Sequence, residues 1–389
     1  MTTATTLPGW PYRPYFWEEF TQAAASRRRL ADVRQAMPVW AERGLRALRD
    51  GLGRDPGSEP AMRHLHRVEI TDDERAAQQL PDSYRAEHAA LTLFGLHQSA
   101  GADSVHRPGT GLGTAVRGLR EGPLSHNAAE RRLIAAATAH DLDELAQHVR
   151  GLIPLLRHAG IGLDYTRLYR DLRDWQSPGH ARALRAWGLQ YTDPSGSTTA
   201  PHEPPDAESV RPYWAGFDPE QADAGADLAA LRSGAGRQAG TAPAMWPFYR
   251  TPISTRLRTQ GVLTRGLVAE HDALVVFGIH QQGRNTPMHA PGISPGRACR
   301  QLCAQDAGAD RVAVERRFGA LLTSADTGEL AQHLRALVPM LRRARIELDY
   351  DVLHHALRHW DEPQRPWEQP HARHAWDRDF HTDTVHHPT

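Results

Sequence analysis

Glu87-His88-Ala89-Ala90-Leu91-Thr92-Leu93-Phe94-Gly95-Leu96-His97-Gln98 is written a second time in the chain, as Glu270-His271-Asp272-Ala273-Leu274-Val275-Val276-Phe277-Gly278-Ile279-His280-Gln281. The match extends in both directions. His106, Pro108 and Gly109 recur as His289, Pro291 and Gly292, and Leu48-Arg49, Gly53-Arg54 and Ala61-Met62 recur as Leu231-Arg232, Gly236-Arg237 and Ala244-Met245. The longest match runs from Glu130 to Gln176 against Glu315 to Asp361. A period of about 185 residues is a whole domain, since solenoid repeats are far shorter and need neighbours to bury a core. Duplication therefore divides the chain into domains at 1–191 and 211–389. Between them, residues 192–210 are rich in Pro, Ser, Thr and acidic residues and read as a flexible linker. As a coil of about 20 residues it spans roughly 25 Å.

Both copies read as helical, and the expected fold class is all-α, two tandem helical bundles of one fold. Leu142, Leu145, Ala146, Val149, Leu152, Ile153 and Leu156 fall at steps of three and four, which gives one continuous apolar face. Asp141 with Glu144 predicts a capping box at its start, Asp326 with Glu329 repeats it, and Gly160 is a natural stop. Asn127 with Glu130 predicts another start, and Asp164 begins a helix ending near Trp175. Pro154 and Pro339 sit inside the long helix, where each removes a backbone hydrogen bond and predicts a kink. No stretch reads as a strand.

Charge excludes little. Lys+Arg and Asp+Glu both total 46, so no net field marks a nucleic-acid partner. The basic residues are all arginine, whose planar fork grips phosphate with two bonds; genome composition accounts for that bias as well. No apolar run approaches the roughly 18 residues of a membrane helix, and the first residues lack the pattern of a secretory signal, so a cytoplasmic protein is expected. Cys299 and Cys303, four apart, are too few for a disulfide framework, and they align with Val116 and Arg120 of the first copy.

Candidate sites are few. The loop His106-Arg107-Pro108-Gly109-Thr110-Gly111-Leu112-Gly113 leads into a helix and is either a plain turn or an anion site clamped by Arg107. Arg131-Arg132 and Arg316-Arg317 each follow a glutamate on a helix whose other face is apolar. Each pair either reaches phosphate or pairs with its own glutamate. Arg54 and Arg237 sit in duplicated glycine loops. These seven arginines are the candidate nucleic-acid contacts. His88, His97, His106 and His148 recur as His271, His280, His289 and His333. None of these stands in a His-Glu-x-x-His or Glu-x-x-His pattern, so they read as satisfied core or surface groups, and no metal is expected. Tyr165, Trp175 and Phe94, with their twins Tyr350, Trp360 and Phe277, read as core rather than as base-stacking platforms. No nucleophile, base or metal constellation points to an enzyme.

The series Ala90 to Gln98, His106-Arg107-Pro108-Gly109, Glu130 to Leu133, Asp141 to Arg150, Leu163-Asp164-Tyr165 and Trp175-Gln176 resembles the small subunit of the type I-E CRISPR-associated Cascade complex, the CasB family. The second copy carries the same series as far as Leu348-Asp349-Tyr350 and Trp360. The resemblance implies an all-helical, non-catalytic subunit with no cofactor, which sits as a pair in an RNA-guided complex. Its implied partners are the large and backbone subunits, CRISPR RNA, and the target and displaced DNA strands, with sequence read by the guide. Family members are typically distinctly basic, and the balanced charge here departs from that pattern. A tandem chain is then expected to replace two subunits. The alternative is a helical protein–protein adaptor that never touches nucleic acid; a histidine-rich metal or haem enzyme ranks third.

Overall fold

A computed structural model describes residues 13–29, 37–77, 79–98, 103–121, 126–192, 211–305, 311–361 and 369–382. The chain forms two compact units, Met1–Tyr191 and Thr192–Thr389. From residue 193 to 210 the expected linker lies outside the described residues. Both units are helical, and the described residues contain no strand, only a duplicated pair of isolated bridges.

The first unit runs α1 (Phe16–Arg29), α2 (Val39–Asp50), α3 (Asp72–Ala76), α4 (Asp82–His97), α5 (Leu112–Gly118), α6 (His126–Ala137), α7 (Leu142–His158), α8 (Tyr165–Arg173) and α9 (His180–Tyr191). The second runs α10 (Ala224–Arg232), α11 (Thr255–Gln260), α12 (Arg265–His280), α13 (Pro295–Gln305), α14 (Arg311–Thr323), α15 (Thr327–Ala344), α16 (Tyr350–His359) and α17 (Gln369–His381). Each unit is built around its central helix, α4 or α12, which is apolar nearly all round and buried accordingly. Among the described residues the second unit has no counterpart to α1. A short 3-10 turn at Tyr213–Gly216 stands there, and Trp214 donates to Asp351 as Trp17 donates to Thr166.

The core repeats ring for ring. Phe94 meets Tyr165 edge-on at 5.2 Å, and Phe277 meets Tyr350 at 5.1 Å. Trp175 donates its indole N–H to Ala139 O, and Trp360 to Ser324 O, each at 3.1 Å. These rings are buried, as their apolar surroundings predict, and each contributes about 1.5–3 kcal/mol from area removed from water. Gly95 and Gly278 let the central helix approach α2 and α10: a Cβ there would press on Leu48 or Leu231.

Local signals held, with two corrections. Asp141 Oδ1 accepts from Glu144 N and Asp326 Oδ1 from Glu329 N, both at 2.8 Å. The returning glutamates miss the cap's own N–H. They accept from the residue before it, His140 N or Ala325 N, because the cap backbone is extended at φ near −140°. The reciprocal box forms instead at Thr71 and Glu74. The second correction is at α6, which begins at His126, so Asn127 lies inside the helix rather than ahead of it. Asp164 caps α8 as expected, and α7 and α15 run unbroken through Pro154 and Pro339.

Candidate nucleic-acid interface

Two of the duplicated histidine pairs, His97 with His280 and His106 with His289, frame the packing beneath the surface. Tyr165 N–H donates to Nδ1 of His106 at 3.1 Å, and its hydroxyl stands 2.9 Å from Nδ1 of His97. The second unit repeats both bonds, from Tyr350 to His289 and His280, and adds His280 Nε2 to Ile346 O at 2.9 Å. That last bond makes Nε2 the protonated nitrogen and leaves Nδ1 to accept from the tyrosine. Burial drives His97 and His280 down to about 4, so both are neutral near neutral pH. The next residue finishes the frame: Gln98 and Gln281 bridge the following loop, each accepting from a backbone N–H and donating to a carbonyl. Among the described residues no group of three His, Cys, Asp or Glu side chains is placed to hold a metal.

The proline-glycine loop is a turn, not an anion site. Gly109 N–H donates to Asp164 Oδ2 at 2.7 Å, and Gly292 N–H to Asp349 Oδ2 at 2.6 Å. The chain's own carboxylate therefore occupies the place an external anion would take, and it does so in both copies. Arg107 projects from this loop into solvent, its stem covering Gly162.

The structure brings some candidate arginines together and leaves others apart. Arg54 follows Gly53, whose φ of 78° makes the turn after α2, and its side chain is 61% exposed, with Glu59 3.8 Å away. Arg131 and Arg132 are exposed on α6. Between Arg54 and Arg132 stands Arg150 of α7, which no motif in the sequence marks. Its Nη1 lies 3.1 Å from where a Cβ on Gly53 would be, and the next residue, Gly151, faces the stem of Arg132. Arg54, Arg85 and Arg150 line a polar cleft of about 750 Å³ with His88 at its inner wall. Arg85 is committed to Asp143 at 2.6 Å, whereas Arg150 has no described hydrogen bond or ion pair. Arg107 does not line this cleft and sits on the loop before α5.

The second unit is wired differently. Arg237 and Arg316 are exposed, while Arg317 is half-buried, with Nη1 3.5 Å from Ala313 O. Glu315 accepts from Arg311 at 2.9 Å. Arg335, the twin of Arg150, is held at 3.4 Å by Asp272, which replaces Ala89. Burial pushes the Asp272 carboxyl up to about 6, with Arg335 opposing. In sequence this difference shows as alanine against aspartate at one of several positions where α4 and α12 differ.

The model of CRISPR-associated protein Cse2 matches the chain twice, over residues 45–191 and 227–381. The chain belongs to the Cse2 family. Each match covers the helices that the duplication pairs, from α2 to α9 and from α10 to α17. Among solved structures, CasB from Thermobifida fusca is similar at 30% identity, over 41% of this chain and 86% of that one, with a TM-score of 0.31. No curated protein matches. This Cse2 chain thus holds two family domains in one polypeptide. No helix among the described residues is long and apolar enough to cross a membrane.

Proposed function

We propose that this chain is the small subunit of a type I-E CRISPR surveillance complex, with one tandem polypeptide filling two neighbouring small-subunit positions. The observation that carries the reading is the double family match within one chain. In this reading the protein works in the cytoplasm without catalysis, against the large and backbone subunits. It supports CRISPR RNA and target DNA and holds the displaced strand through phosphate contacts. Exposed Arg54, Arg107, Arg131, Arg132, Arg237 and Arg316 suit that role, Arg317 less so because it is half-buried. A linker raises the effective concentration of the second domain at the second position. Native mass spectrometry of the assembled complex is expected to find one fusion chain; two would overturn the replacement.

The balanced charge favours one rival, an adaptor that bridges subunits without touching nucleic acid. A gel shift with a single strand separates the two, since phosphate contacts impose a steep loss of affinity with salt. No shift at low salt would favour the adaptor.

A further inference from the structure

The turn that ends the long helix is made by different residues in the two units. In the first, α7 closes with Ile161 N–H on Leu156 O at 2.9 Å, and the chain reverses at Gly160, whose φ is 68°. In the second, α15 closes with the same bond, Ile346 N–H on Leu341 O at 3.0 Å, but the chain reverses at Arg345, whose φ is 59°. This helix ending demands a left-handed residue, and glycine supplies one without the clash between a β-carbon and the neighbouring backbone. Among the described residues Arg345 is the one non-glycine with positive φ. The turn does not need the strain, since Gly160 makes it without any. What the arginine adds is its side chain.

That side chain is exposed, and so is that of Arg343, two residues earlier. Neither guanidinium has a described hydrogen bond or ion pair, and Glu347, two residues beyond Arg345, pairs with neither. Arg342 beside them is committed, to Ile279 O at 3.2 Å and Gln282 Oε1 at 2.8 Å. In the first unit the matching positions hold His158 and Gly160. Earlier on the same helix the difference runs the other way: Arg150 has no described partner, whereas its twin Arg335 is held by Asp272 at 3.4 Å. Each unit thus keeps uncommitted arginine on its long helix, at mid-helix in the first and roughly 12 Å further along, at the C-terminal end, in the second. Arg343 also shares a pocket of about 220 Å³ with Arg311 and Gln305. Pockets that enclose a whole ligand begin at roughly 300 Å³, so this one has room for an anionic group rather than for a nucleoside.

We propose that Arg343 and Arg345 are the strand-phosphate contact of the second unit. This rests on the proposed function and deepens it, by moving the contact from Arg335 to the end of α15. A guanidinium has donors only and keeps its charge, so two without a partner at one helix end are suited to an anion. The pair stands in for an arginine whose twin, Arg150, the proposed function leaves open to a strand, and that makes a backbone phosphate the occupant. An acidic protein surface would bring the same sign of charge, and the test separates the two.

The test is binding of a single-stranded oligonucleotide by the full chain, followed by fluorescence anisotropy across a salt series, beside urea unfolding. Arg345→Gly, which copies Gly160, is expected to lower the salt slope by about one, and Arg343→Gln with Arg345→Gly by about two. The loss should be equal for unrelated sequences, because phosphate contacts carry no base information. Arg345→Lys keeps the charge and is expected to keep the slope. The urea midpoint of Arg345→Gly is expected to stay or to rise. A lower midpoint with an unchanged slope would mean that the arginine serves the negative end of the helix dipole, and would overturn the proposal. An unchanged slope in the double variant overturns it too. A double variant that drops out of the assembled complex while its strand affinity is unchanged assigns the pair to an acidic protein surface and likewise overturns it. Failure of the unaltered chain to bind any strand overturns the proposed nucleic-acid role as a whole, whereas binding that survives loss of both arginines overturns this assignment alone.

Discussion

The hydroxyl of Tyr350 lies 2.9 Å from Nδ1 of His280, deep in the second unit, with both side chains fully buried. The tyrosine comes from the first turn of α16 and the histidine from the last turn of α12, so one bond fixes how the two helices meet. Removing the hydroxyl would leave a buried acceptor without its donor. Tyr350→Phe is therefore expected to destabilise the second unit by about 1–3 kcal/mol, read from urea unfolding. A change below about 0.5 kcal/mol would mean that the bond is not what orders these helices.

Buried neutral histidines also set an acid limit. Desolvation holds His66, His97, His271 and His280 at about 4, against an unfolded value near 6.5. Between those values the unfolded chain binds protons that the folded chain refuses, so stability is present above about pH 6.5 and falls as pH drops toward 4. Each histidine contributes up to about 1.4 kcal/mol per pH unit. Asp171 and Asp272, raised to about 6, and Glu87 and Glu270, also raised by burial, act in the opposite direction; with His354, likewise lowered to about 4, the histidines outnumber them. Unfolding free energy is expected to fall from pH 7 to pH 4.5. His280→Gln, whose amide oxygen still accepts from Tyr350, should flatten that slope; a flat wild-type profile would contradict the burial argument.

If each unit is a domain in its own right, fragments 1–191 and 211–389 should each show helical circular dichroism and a cooperative melt. Each contains its own core, its own His–Tyr–His frame and its own capped α7 or α15. A fragment that stays disordered alone would show that the duplication has become one folding unit.

Sequence made the duplication, the helices and the aromatic core legible because repeated spacing and apolar periodicity record packing directly. Phe94, Tyr165 and Trp175 lie on apolar helix faces and are core. The candidate arginines were a different matter. Exposure follows from helical period, so Arg131 and Arg132 were placeable on a solvent face. Which arginines share a cleft depends on how α2, α4 and α7 meet, and no local pattern encodes that. Arg150 sits on the polar side of an amphipathic helix, where any arginine looks like solvation. The loop before α5 shows the converse limit: its glycines resemble an anion cradle, and only the fold reveals that Asp164, distant in sequence, already fills it.

The contrast between Arg150 and Arg335 gives the sharpest test of how the two halves share nucleic acid. Arg150 stands by Arg54 on an open cleft with no described partner, so its charge is available to phosphate. Arg335 faces a carboxylate of its own domain 3.4 Å away, and engaging phosphate would leave Asp272 uncompensated where it is only 13% exposed. Under the proposed function, Arg150→Ala should therefore weaken single-strand binding and lower the salt slope by about one, while Arg335→Ala changes neither. Asp272→Ala, which copies Ala89, should free Arg335 and strengthen binding of the second half. Arg131→Ala with Arg132→Ala should weaken binding across unrelated sequences, because phosphate contacts carry no base information. Equal losses from Arg150→Ala and Arg335→Ala, measured by salt-dependent fluorescence anisotropy, would show that the Asp272 ion pair does not withhold its arginine.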